Sequence, residues 1–130
     1  AKVFQDNPID SIKTMAITVG NFVVGNSPYP KLEKQRTFNY GKPGKFRVQK
    51  YGSLFSDIPY TDIGIEYRTP SNTWTTNLEM SEGIEHWAYK ALDILESGKA
   101  NDVINTFSKI TIDSILSANQ ESCLNILNNL

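Results

Sequence analysis

Along the first two-thirds of the chain, apolar residues recur mostly at every second position. From Ile12 to Val19, Met15, Ile17 and Val19 alternate with Thr14, Ala16 and Thr18, the two-residue period of a strand. Gly20-Asn21 is a turn pair and Phe22-Val23-Val24 a returning apolar run, so residues 12–25 predict a β-hairpin. Asn26 to Pro30 reads as a loop, because its two prolines cannot continue a ladder. Two more strands are predicted over Gln35–Tyr40 and Lys45–Tyr51, joined by the turn Gly41-Lys42-Pro43-Gly44. After a longer connection over 52–61, Ile63, Ile65 and Tyr67 alternate with Gly64, Glu66 and Arg68 as far as Thr69. Pro70-Ser71-Asn72 turns the chain, and Trp74, Thr76, Leu78 and Met80 mark a last strand.

From Ser81 the period becomes 3.6. Ile84, Trp87, Ala88, Ala91, Leu92 and Leu95 make one helical stripe, with Glu82, Glu85, Lys90, Asp93 and Glu96 on the other side. Ser81 suits an N-cap and Gly98 a C-terminal stop. A second stripe starts near Asn101 with Val103, Ile104 and Phe107. A third runs through Ile112, Ile115, Leu116, Cys123, Leu124, Leu127 and Leu130, as one bent helix with the second or as a separate one. The expected fold class is α+β, with an N-terminal hairpin and antiparallel meander followed by two or three helices packed on one sheet face. Residues 1–130 form one domain in this reading, with 1–80 mainly strands and 81–130 mainly helices.

Composition narrows the function more than it changes the fold. The chain has 130 residues, 39% hydrophobic and 21% charged, which fits one globular domain and excludes a disordered tail. It has no apolar run of the ~18 residues that a membrane span needs. One cysteine and one histidine exclude an internal disulfide and a Cys/His zinc site. His86 has Glu82 one turn before it and Glu79 nearby, half of an acid–base pair without a nucleophile, and reads as a surface histidine. Cys123 lies on an apolar stripe and reads as core. The Gly41–Lys45 turn lacks the spacing and the following helix of a phosphate-binding loop. Neither an enzymatic activity nor a cofactor is expected.

The net charge of −1 hides an asymmetry. Residues 1–52 carry nine Lys/Arg against three acids, and residues 53–130 four against eleven. Seven of the cations lie within 31–50, beside a single acid. Strand alternation would put Lys45, Arg47, Gln49 and Tyr51 on one face, and Arg36, Phe38 and Tyr40 together on another. Cations interleaved with aromatics on an uncovered sheet can neutralise phosphates and stack bases. The same pattern also suits a solvated sheet face opposite a core of Phe38, Phe46 and Val48.

An N-terminal hairpin, a meander and C-terminal helices in this length resemble the coat proteins of single-stranded RNA bacteriophages. Leu32-Glu33-Lys34 followed by the basic strands is similar to the stretch that opens the main sheet in some of them. The resemblance implies a structural capsid subunit of a virion, a homodimer that assembles into a shell and encloses RNA. Its RNA-binding residues would be Lys34, Arg36, Tyr40, Lys45, Arg47, Gln49 and Tyr51. Two alternatives stand beside it: a small non-enzymatic dimeric binding or adaptor protein of immunity or chaperone type, cytoplasmic if not viral, and a single-strand nucleic-acid binder without a shell. Self-association is expected in any case, because Leu124, Leu127 and Leu130 need cover.

Overall fold

The computed structural model describes residues 6–40, 46–51, 62–67, 71, 75 and 77–130. Its N-terminal half overturns the hairpin. Helix α1 (Pro8–Met15) passes into a π-helical segment, Ala16–Gly20, and then into α2 (Asn21–Asn26) with no break in right-handed backbone at Met15, Gly20 or Asn21. Proline at the start of α1 fits because the first turn needs no N–H partner there. Ser11, Ile12, Thr14, every residue from Ala16 to Asn21, and Val23 to Gly25 are buried.

That burial explains the misread period. A helix packed on all sides has no polar stripe, so the 3.6-residue signal disappears. What remains is a β-branched run (Ile12, Thr14, Ile17, Thr18, Val19, Val23, Val24) whose local preference is for strand. Packing on all sides overrides it. The polar members bond within the rod: the Thr18 hydroxyl donates to Thr14 O at 2.8 Å, and the Asn21 amide to Ile17 O at 2.8 Å.

The strand expected over Gln35–Tyr40 is likewise helix, the second half of α3 (Pro30–Tyr40). Proline opens it, Glu33 lies in its first turn, and Lys31, Leu32, Lys34, Gln35 and Arg36 are all good helix formers. Strands occur at β1 (Phe46–Tyr51) and β2 (Asp62–Tyr67), an antiparallel pair with Phe46 opposite Tyr67 and Tyr51 opposite Asp62. Among the described residues this pair replaces the meander. The turn at 41–45, the connection over 52–61 and Trp74 and Thr76 of the last predicted strand lie outside the described residues.

Leu78 and Met80, assigned to that strand, open helix α4 (Leu78–Glu96). The cap is Asn77 rather than Ser81: its side chain accepts from Glu79 N at 2.8 Å and Met80 N at 3.3 Å. Gly98, at φ 77°, ends the turn after α4. Two separate helices follow, α5 (Ala100–Leu116) and α6 (Gln120–Asn128). They divide at Ala118, which takes φ 51°, and Asn119 caps α6 by accepting from Ser122 N at 3.1 Å. The β-branched run Ile110-Thr111-Ile112 stays inside α5.

The result is a helical protein in which α4, α5 and α6 surround the buried α1–α2 rod. One core cluster joins Ile17 to Ile94, Ala100, Ile104 and Ile126, with Leu95, Val103, Phe107 and Leu130 against it. A second joins Val24 to Ile115 and Cys123.

Candidate functional site

The residues predicted for RNA contact are divided among different elements. Lys34 is exposed and Arg36 half-buried on α3, and Tyr40 ends that helix. Phe38, two residues from each of the others, is turned about 200° away on a helix, so the three do not share the face that strand geometry gave them, while Arg36 and Tyr40, four apart, keep to one side. Lys45 lies outside the described residues. Arg47, Gln49 and Tyr51 alternate along β1, and their register partners on β2 are Glu66, Gly64 and Asp62. Arg47 and Tyr51 therefore each stand opposite an acidic residue, which lowers the positive potential available to a polyanion.

Most of the described acidic surface belongs to the last three helices. Glu79, Glu82, Glu85, Asp93, Glu96, Asp102, Asp113 and Glu121 are all exposed, while residues 77–130 hold only three lysines. On α4, Glu82, Glu85, Tyr89, Asp93 and Glu96 recur at three- and four-residue intervals and so share one outer face. Tyr89 is 64% exposed at its centre, and Leu78 is 74% exposed one turn before Glu82. The acids were legible as the polar side of the α4 stripe. Tyr89 was missed, because its exposure depends on which side of α4 the rod occupies.

His86 is exposed on α4, with its ring edge-on to Trp87 at 5.1 Å between centroids. Cys123 is fully buried, and that burial pushes its thiol up to about 11, opposed only by a backbone hydrogen bond. A nucleophile needs the reverse shift. Among the described residues, no group of three or more His, Cys, Asp or Glu is placed to hold a metal ion. No helix among them is long and apolar enough to cross a membrane.

Two sets of polar contacts, one part-buried and one buried, hold the turn after α2. The Gln120 amide, at the start of α6, donates to Val24 O at 3.1 Å and to Ser27 O at 2.7 Å. Val24 O also receives the Ser27 N–H, a stretched bond of 3.4 Å at the end of α2, and Ser27 O lies just past the helix. The Glu33 carboxylate, 2% exposed, accepts from the Ser27 hydroxyl at 3.1 Å and from the Ser71 hydroxyl. A buried carboxylate needs such donors. Neither role has a local sequence signal, since both partners are distant in the chain or depend on the turn itself.

A groove of about 350 Å³ runs between α5 and α6. Phe107, Ile110 and Ile126 supply its apolar lining, and Asn119, Glu121, Ser122, Asn125 and Asn129 its polar side. No family model, curated protein or solved structure matches the chain.

Proposed function

We propose that this protein is a non-enzymatic binding module that docks a cationic protein segment on the outer face of α4. The observation that carries this reading is the row Glu82, Glu85, Tyr89, Asp93 and Glu96, all exposed, with Leu78 beside it. Carboxylates steer a basic partner to the face and fix its register. An exposed tyrosine supplies rigid apolar area with a polar tip, the composition of an interface anchor.

The coat-subunit reading loses its support at the N-terminus. It rested on the order hairpin, meander, helices, and residues 8–26, where the hairpin was expected, form a buried helical rod instead. Of the basic block that suggested RNA, the described members are split between a helix (Lys31, Lys34 and Arg36) and a strand (Arg47 and Lys50) on which Arg47 stands opposite Glu66.

The test is titration with a lysine- and arginine-rich amphipathic helical peptide, in low and high salt, against wild type and the variants Glu82→Lys/Glu85→Lys and Tyr89→Ala. The expected result is salt-sensitive binding that the charge reversal abolishes and Tyr89→Ala weakens about tenfold or more. Binding indifferent to both variants overturns the reading. Light scattering on a sizing column with absorbance at 260 and 280 nm distinguishes the shell: megadalton particles rich in nucleic acid would restore the coat protein in its place.

A further inference from the structure

The outer face of α6 differs from the rest of the acidic surface. Leu124, Asn125, Asn128 and Asn129 are exposed on it, and Glu121 is the one charged side chain from Gln120 to Leu130. Depletion of charge is one mark of an interface core. Apolar surface lies on both flanks of this face. On one, Leu124 lies against Gly25, and Gln120 fastens the Val24–Ser27 turn, which leads directly into Tyr29 and Leu32, each 55% exposed. On the other is the groove floored by Phe107, Ile110 and Ile126.

We infer that this face is a two-fold interface between two copies of the chain, with the Leu124–Tyr29 flank of each copy seated on the α5–α6 groove of the other. A two-fold contact requires one surface to carry both halves of a complementary pair, because residue i meets j and j meets i. This surface carries exposed apolar residues (Leu124, Tyr29 and Leu32) on one flank and a groove on the other. It carries both halves in charge as well: exposed Lys31 follows Tyr29 by two residues and exposed Glu121 lines the groove, neither with a partner among the described residues. Charge also selects the face, since two copies meeting through α4 would press acidic rows together and a face with one carboxylate avoids that repulsion. The Asn125, Asn128 and Asn129 amides offer both donors and acceptors, so they can pair with their own copies across the axis. The interface leaves the outer face of α4 free and does not depend on the function proposed for it.

Light scattering and sedimentation equilibrium from micromolar to millimolar chain test the inference. The expected mass is twice the 14.6 kDa of the chain. Leu124→Asp and, separately, Glu121→Lys are expected to weaken dimerisation about tenfold or more, with helical circular dichroism unchanged. Lys31→Glu alone is expected to act like Glu121→Lys, and the double exchange Lys31→Glu/Glu121→Lys to restore the dimer. Glu121 and Lys31 are exposed, so their variants report even if Leu124→Asp fails to fold. A monomer throughout the range, or a dimer unmoved by Glu121→Lys and Lys31→Glu, overturns the inference.

Discussion

The ring of Phe22 on α2 occupies the space where a side chain at Gly83 on α4 would begin: a Cβ built on Gly83 would overlap the Cζ tip of the ring. The glycine is there for close approach of helix to rod, not for backbone freedom, since it lies inside α4. Gly83→Ala gives α4 a better helix former and is nonetheless expected to destabilise by about 1–3 kcal/mol, because overpacking outweighs propensity here. Urea denaturation measures it. Phe22→Leu in the Gly83→Ala background should recover part of the loss, and an additive double variant would show that the two positions are not in contact.

Gln120 joins the start of α6 to the end of α2, and its loss should be felt there first. Gln120→Leu removes the amide that donates to Val24 O and Ser27 O, so Ser27 O loses this donor and Val24 O is left with the stretched Ser27 N–H at 3.4 Å. The expected cost is about 1–3 kcal/mol. Amide hydrogen exchange should show faster opening over 24–29 than over α4, and uniform acceleration would mean that Gln120 supports the whole fold rather than this turn.

Thr14 and Asn21 show the cost of polar groups in the rod. Both are fully buried, and Thr14 Oγ1 and Asn21 Oδ1 have no hydrogen-bond partner among the described residues, although the Asn21 amide reaches Thr111 Oγ1 at 3.0 Å. Thr14→Val keeps the shape and removes an unsatisfied hydroxyl, so it is expected to stabilise by about 1 kcal/mol. Thr111→Val takes a partner from a buried amide and should destabilise by a similar amount. A loss of stability in Thr14→Val would show that its hydroxyl is partnered in solution.

What the sequence made legible was the set of elements with one dry and one wet side. In α4 and α5 the stripes through Ala91, Leu95, Ile104 and Phe107 face the rod, and the carboxylates opposite them face water. The rod itself was illegible for the opposite reason, because Ile17, Thr18, Val19 and Asn21 are buried whatever direction they point. Alternation and β-branching were then the only remaining pattern, and both belong equally to a strand. In α3, reading Arg36, Phe38 and Tyr40 as alternating gave too little weight to Pro30 and the helix formers after it. The acids of the α4 face could be read directly. The α5–α6 groove could not, because it depends on the angle at which two helices meet after Ala118.

Cys123 turns burial into a pH dependence. Desolvation raises its thiol from 9.0 to about 11 in the folded protein, while the unfolded chain keeps the ordinary value. Below pH 9.0 both states hold the proton and the group has no effect on the slope. Between 9.0 and about 11 the unfolded state releases its proton and the folded state does not, so stability falls as pH rises through that window. Denaturant midpoints for wild type should therefore drop across this range more steeply than those for Cys123→Ala, which carries no titrating group there and starts from lower stability because of the cavity it leaves. An alkylating reagent at neutral pH should label the thiol only on the timescale of opening, in both dilute and concentrated protein. Rapid labelling of native protein, or parallel pH profiles for the two chains, would place Cys123 at the surface and remove α6 from the core packing described for Val24 and Ile115.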